Sequence, residues 1–319
     1  MASGRTFLTI DLGGTKLALG VVDEDAVVLR RAVSPTVTAD AAGCLADLMA
    51  RVGEMLATGP EVAAIGIGTA SMVDFSAGRI VESTNLPLRD VPLRDLVQER
   101  FGLPAVVDND ATVACLGEHR FGVGRGAGEM LMLTLGTGIG GGIICNGRPY
   151  RGFSGAAAEL GHMIIDVHGP RCSGTCPASG CLESFCSGHA IGAAAVAEAR
   201  AKPASALGRA LAGGEAVDGP LLTRLAHGGD GDALALYARI GTLLGVGIAN
   251  LVNIFNPELV VVGGSVAAAG DALLEPARRQ VVRQALRPQR DEVRIEPAHL
   301  GEDAGLVGAA ALCLVELPS

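Results

Sequence analysis

At 319 residues the chain exceeds what one hydrophobic core usually organises, so two domains are expected. With 49% apolar and 18% charged residues it can bury such cores, and no biased tract suggests a disordered arm. A net charge of -9 without clustered Lys and Arg argues against nucleic acid as a partner, and MASGRTFLTI lacks a basic segment followed by a signal-length apolar run, so a cytoplasmic protein with small-molecule partners is expected.

In chain order, FLTIDLGGTKLALGVVDE (Phe7 to Glu24) reads as two strands around Gly13, Gly14 and Thr15, with Asp11 just before the turn. A helix follows over about Ala41 to Leu56, then the buried strand VAAIGIGTA, the turn-rich SMVDFSAGRIVESTNLP and a helix near Leu93 to Phe101. The short strand PAVVDND leads into ATVACLGEHRFG, whose apolar spacing is helical, so Asp108, Asn109 and Asp110 sit where a strand ends and a helix begins. LMLTLGTGIGGGIICNG (131–147) repeats the strand, glycine turn, strand pattern, and the repeat suggests two domains of related architecture with a junction near Asp110 to Ala114. After Phe185 the pattern is mostly helical and alanine-rich to Asn253. The apolar stretch Ile240 to Phe255 is shorter than the roughly 20 residues a bilayer span needs and reads as a buried helix. PELVVVGGSV (257–266) is a third strand with a glycine turn, and a final helix is expected around Ala304 to Val315.

Glycine turns let backbone N–H groups approach an anion closely, and phosphate is the usual guest. Paired glycines are also the common signature of a tight I′ hairpin turn, and the turn alone does not separate the two. Asp11 favours the first reading, because a carboxylate facing phosphate is repulsive unless a divalent cation lies between them, as Mg²⁺ does on nucleotide phosphates. The chain has no G-x-x-x-x-G-K-[ST] loop, and its GTGIGGG is followed by strand residues, which removes the dinucleotide fingerprint. Asp110 has a plain alternative as the N-cap of the helix that begins at Ala111.

IDLGGTK, VDNDA, LTLGTGIGGG, AAELGHM, GCLESF and NPELVVVGGS, in this order, resemble the ROK family of bacterial sugar kinases and sugar-responsive repressors. The resemblance implies an actin-like, ribonuclease H-like pair of α/β domains with ATP and a sugar meeting in the cleft between them. It puts residues 1–112 and 304–319 in an N-terminal domain, with the last helix packed back on it, and 113–303 in a C-terminal one. It also implies ATP-dependent phosphorylation of a hexose at the 6-hydroxyl, glucose first, with N-acetylmannosamine, N-acetylglucosamine or fructose as alternatives. Asp110 would accept the hydroxyl proton and Asn109 would hold another hydroxyl. Glu159, His162, Glu183 and Asn85 would hold the ring. Read without the family, Glu159 and Glu183 are surface acids. Asp11 would orient Mg²⁺, with Gly13, Gly14, Thr15, Thr137 and Gly138 around the phosphates, Lys16 within reach of one, and Gly263, Gly264 and Ser265 at the nucleoside end. A homodimer, or a tetramer, is implied. The family's repressors carry an added helix-turn-helix, for which a hairpin starting near residue 7 leaves no room, and the acidic charge offers no track for polyphosphate.

His162, Cys172, Cys176 and Cys181 form His-x9-Cys-x3-Cys-x4-Cys in a glycine-rich loop, the inventory of a closed tetrahedral Zn²⁺ site. The competing reading is a set of free or redox-active thiols, though no C-x-x-C pair is present. The family's spacing is Cys-x-Cys-x4-Cys, so Cys172 has to reach through a loop two residues longer, with Cys186 and His168 as poorer substitutes. Structural zinc would fix the loop bearing His162 and Glu183. Cys44, Cys115, Cys145 and Cys313 lie in apolar contexts and read as core residues.

Overall fold

The computed structural model describes residues 4–318. In chain order its elements are β1 (Thr6–Leu12), β2 (Lys16–Asp23), β3 (Val28–Pro35), α1 (Ala41–Thr58), β4 (Ala64–Thr69), β5 (Met72–Asp74), β6 (Arg79–Glu82), β7 (Arg89–Val91), α2 (Leu93–Phe101), β8 (Ala105–Asn109) and α3 (Asp110–Phe121). They continue with β9 (Met130–Leu135), β10 (Ile139–Cys145), β11 (Arg148–Pro149), α4 (Glu183–Cys186), α5 (Gly188–Ala201), α6 (Ala206–Ala212), α7 (Gly219–His227), α8 (Gly231–Phe255), β12 (Leu259–Gly263), α9 (Asp271–Gln284), α10 (Gln289–Glu292), β13 (Arg294–Pro297) and α11 (Ala304–Glu316). The chain divides into two compact units, Met1–Gly128 with Gly142–Ala158 and His299–Ser319, and Glu129–Gly141 with Glu159–Ala298. This is the two-domain, actin-like α/β sugar kinase fold.

In the first unit a mixed sheet runs β3-β2-β1-β4-β8. β1 is antiparallel to β2 and parallel to β4, and β4 is parallel to β8, in a register that aligns Asp11 with Gly68 and Gly68 with Asp108. The three parallel strands end together, so Asp11 and the Asn109–Asp110 step emerge at their carboxyl edge, where α/β sheets usually bind ligands. All six residues of β4 are buried, because helices cover both faces of the sheet. On α1, Cys44, Leu48, Val52 and Met55 recur at helical spacing and join Leu8, Ile10, Ile65 and Ile67 in one core. α11 lies against β1, β4 and α3. There a Cβ on Gly66 would run into the Ala309 carbonyl, and one on Gly308 into that of Val113, so backbone meets backbone.

The second unit is built around β9, β12 and β13, which are parallel, with β12 buried at every residue. α8 is long and apolar enough to cross a membrane by length and composition, yet it buries Leu236, Ile240, Leu244 and Ile248 inside this unit. It behaves as a core helix.

The observed division differs from the junction expected near Asp110 to Ala114. That span lies inside α3, whose residues Ala111 to Glu118 are buried, and the chain leaves the first unit only after Gly128. It returns within β10 for residues 142–158, an excursion that local patterning does not encode because strand periodicity runs unbroken through it.

Candidate active site

Both glycine hairpins form, but neither glycine of the first sits at a left-handed φ, which rules out the I′ turn. The turn closes by a Gly13 N–H bond to the Lys16 carbonyl at 3.0 Å. Glycine is needed at 14 because a Cβ would lie 2.6 Å from Asn85 Cβ and 3.0 Å from its carbonyl oxygen. Exposed Asn85 is thus packed on the turn, and Thr15 and Lys16 are exposed beside it.

Asp11, near the end of β1, has its carboxyl pushed up to about 6 by burial and by the charge of Asp110, with Lys16 pulling the other way. Burial also raises Asp110, against hydrogen bonds from the Ala111 N–H at 2.9 Å and Asn109 Nδ2 at 3.1 Å. The N-cap of α3 is Asn109, not Asp110. Its Oδ1 accepts from the N–H groups of Ala111 at 3.0 Å and Thr112 at 3.1 Å, while Nδ2 also donates to the Ser71 carbonyl at 3.2 Å. Asp110, the first residue of α3, is a partly buried acid whose Oδ1 accepts from the Ala111 N–H and the Asn109 amide. Two like-charged carboxylates with raised affinity for protons form a donor set that suits a hydrated divalent cation.

Motif reading missed the support under this pair. Asp108 is buried, and its Oδ1 accepts the Asn109 N–H at 2.8 Å while Oδ2 meets Arg151 Nε at 2.7 Å. Arg151 also donates to Glu316 Oε1 at 2.8 Å and stacks on Phe75 with its guanidinium carbon 3.6 Å from the ring centroid. Burial pushes the Asp108 carboxyl up and the guanidinium pulls it back. The partners come from four distant stretches of chain, so no spacing could announce them.

In the second unit the β9–β10 turn closes by a Gly136 N–H bond to the Gly138 carbonyl at 2.9 Å, and the Gly136 carbonyl accepts from Gly188 at the start of α5 at 2.7 Å. Gly136 and Thr137 line a cavity of about 650 Å³ with Ser265, Asp218, Thr223 and Tyr237. The size and mixed lining suit a nucleoside. Of the expected nucleoside-end residues, Ser265 lines it. Gly264 instead turns the chain at φ 84 against the Leu135 backbone, and Gly263 packs its α-carbon toward Met132 and Ala298. Asp218 caps α7, Thr223 lies within it and Tyr237 lies on α8, with no motif to mark them, and sequence reading did not find them.

Glu183 is buried, which corrects its reading as a surface acid. Its Oε2 accepts the Ile139 N–H at 2.8 Å, and Oε1 accepts Ser173 Oγ–H at 2.8 Å. Glu159 is exposed and precedes a 3₁₀ turn, Leu160–His162, that brings its Oε2 to 3.8 Å from His162 Nε2. The other ring nitrogen, Nδ1, lies 3.5 Å from Cys172 Sγ. His162, Cys172, Cys176 and Cys181 bring one donor atom each within 4.8 Å of one another. Cys176 and Cys181 have their sulfurs 3.9 Å apart, close to the edge of about 3.75 Å that tetrahedral Zn–S bonds of about 2.3 Å require. Cys172 reaches the cluster despite the longer loop, because its N–H bonds the Ala178 carbonyl at 3.0 Å and Gly180, at φ 73, turns the strand back. Burial pushes the Cys172 and Cys181 thiols up, so a cation must displace their protons. Cys186 is buried elsewhere, its thiol on the Ile240 carbonyl, and His168 is exposed. Cys145 is only partly buried, unlike Cys44, Cys115 and Cys313.

The sequence matches the ROK family over residues 7–316. It is 38% identical over 310 residues to a glucokinase of Streptomyces coelicolor, covering 95% of this chain and 96% of that one. A glucokinase of Thermotoga maritima is 36% identical over 308 residues, covering 95% of each. The crystal structure of a ROK family glucokinase from Streptomyces griseus, in complex with glucose and AMPPNP, superposes with a TM-score of 0.85 at 36% identity, covering 96% of this chain and 98% of that one. With motifs, fold and relatives in agreement across nearly its whole length, the chain belongs to the ROK family.

Proposed function

We propose that this protein is an ATP-dependent glucokinase that transfers the γ-phosphoryl group of ATP to the 6-hydroxyl of glucose. The observation that carries this reading is the Asp11–Asp110 pair at the carboxyl edge of the first sheet, an acid with raised proton affinity beside a glycine turn. Relatives at 36–38% identity over 95% of the chain are glucokinases. Phosphoryl transfer asks the protein for positioning, charge stabilisation and a proton acceptor. Asp110 takes the proton of the 6-hydroxyl as that oxygen bonds the γ-phosphorus and the bond to the β-phosphate oxygen breaks, leaving ADP. Asn109 orients Asp110 through its amide. Glu159, His162, Glu183 and Asn85 hold ring hydroxyls, and Glu183 keeps lone pairs for this beyond those its two protein donors use.

Gly13, Gly14, Thr15, Thr137 and Gly138 surround the phosphates, Lys16 faces one of them, and the nucleoside enters the cavity beside Ser265. Asp11 would hold Mg²⁺ through water, and the cation when bound neutralises phosphate charge. His162, Cys172, Cys176 and Cys181 would hold Zn²⁺, which when bound fixes the loop that aims Glu183. The enzyme works in the cytoplasm as a homodimer, which light scattering checks for subunit number.

The decisive measurement is coupled ADP release over a panel of glucose, mannose, fructose, N-acetylmannosamine and N-acetylglucosamine. Glucose is expected to give the highest kcat/KM. Asp110→Asn should lower kcat on the order of 10²–10⁴-fold with sugar binding retained. Near-normal turnover in that variant would remove Asp110 from the mechanism. Elemental analysis should find about one zinc per subunit, and a fully active zinc-free preparation would refute the metal's role.

A further inference from the structure

Glu183 begins α4 and reaches in two directions. One oxygen accepts from Ile139 N–H at 2.8 Å, in the glycine hairpin, and the other from Ser173 Oγ at 2.8 Å, in the loop between the first two thiols, with Cys172 Sγ at 3.6 Å. The hairpin is shaped around this carboxylate. Gly138 has no left-handed φ, yet a Cβ there would stand 2.5 Å from Glu183 Oε2, so a side chain at 138 would evict the acid. Ser173 lies in the stretch that makes this loop two residues longer than the family spacing, and it supplies a hydroxyl that fills half of the Glu183 carboxylate.

We propose that Ser173 is a positioning residue that, through Glu183, ties the His/Cys loop to the phosphate hairpin, so that metal occupancy and nucleotide binding reinforce each other. The inference rests on the reading of that loop as a zinc site and of the hairpin as a phosphate cradle. A buried carboxylate holds its orientation only while both oxygens are satisfied. With the loop ordered around a cation, the Ser173 hydroxyl pins one oxygen and the other stays on Ile139 N–H. With the loop loosened, Glu183 loses that donor and the hairpin loses its anchor. Because coupling is reciprocal, nucleotide that stiffens the hairpin must also hold the metal more tightly.

The test reads metal release instead of turnover. Zinc-loaded protein is mixed with a chromophoric chelator with and without saturating Mg-ADP, and in parallel a fluorescent ADP analogue is titrated in the absence of sugar. Mg-ADP is expected to slow zinc release several-fold in the wild type. Ser173→Ala is expected to abolish that slowing and weaken nucleotide binding several-fold, and Thr175→Ala, on the same loop, to leave both as in the wild type. If the wild type takes up neither zinc nor the nucleotide analogue, the reading beneath the inference falls. If it binds both, but Mg-ADP leaves zinc release unchanged or Ser173→Ala keeps the slowing, the coupling alone is overturned.

Discussion

The two glycine hairpins look alike in the sequence and use their acids in opposite ways. In the β1–β2 hairpin the nearby carboxylate, Asp11, faces a second acid and carries a raised proton affinity. In the β9–β10 hairpin the nearby carboxylate, Glu183, is satisfied by one backbone and one hydroxyl donor. The glycines follow suit: Gly14 makes room for Asn85, and Gly138 makes room for Glu183. A poised, under-compensated acid is suited to a cation that comes and goes with substrate, whereas a compensated one is suited to holding a turn in place.

The largest effect that separates them is expected from swapping each acid for its amide. Asp11→Asn should lower kcat/KM for ATP on the order of 10²–10³-fold, the scale of losing one group that stabilises transition-state charge, with glucose affinity unchanged. Glu183→Gln can keep its oxygen on Ile139 N–H and donate its NH₂ to Ser173 Oγ, but it loses the charge that strengthens both bonds and forces the serine hydroxyl to turn from donor to acceptor. It should destabilise the fold by about 1 kcal/mol in a denaturant titration, the difference between charged and neutral hydrogen bonds. An Asp11→Asn variant with wild-type ATP kinetics would make the two acids equivalent and end the contrast.

A finer cut compares glycines within one hairpin. Gly138→Ala pushes a methyl group into Glu183 and should cost about 1–3 kcal/mol of stability. Gly136→Ala meets nothing within 4 Å and should stay within about 0.5 kcal/mol of wild type by thermal unfolding. Equal losses at both positions would show that turn geometry, not the carboxylate, sets the requirement for glycine.

These contrasts mark where sequence reading reaches its limit. The α2 boundaries, the buried strands and the fully apolar β4 were legible because periodicity and turn residues are local. The His/Cys cluster was legible because three thiols and a histidine lie within twenty residues of one another. What stayed hidden was long-range. The allegiance of α3 is set by α11, nearly two hundred residues later, packing through Gly308. The Asp108–Arg151–Glu316 cluster joins residues 43 and 165 positions apart, and the Glu183–Ile139 bond spans 44. Asp110 was legible as a candidate base, but that Asn109 takes the N-cap was not, because Asn and Asp are both favoured there and only the backbone decides between them.

The smallest expected effect is on stability, and it follows from the same unpaired acid. Asp11 binds its proton more tightly in the folded chain, at about 6, than at its ordinary value of 3.8. The folded state therefore loses stability as pH rises from about 4 to about 6, and above 6 the penalty is fully present. The rise from 3.8 to about 6 corresponds to at most about 3 kcal/mol, which partial exposure and screening reduce to about 1–2 kcal/mol. Asp11→Asn removes the titrating group, so in substrate-free, Mg-free protein it should raise stability by that amount at pH 8 and leave it unchanged at pH 4. The equivalent substitution at Glu183 should lower stability, so the two denaturation curves move in opposite directions from the wild type. An Asp11→Asn protein no more stable at pH 8 than the wild type would mean that Lys16 and solvent already neutralise the acid, and a cation would then add little to what the hairpin holds alone.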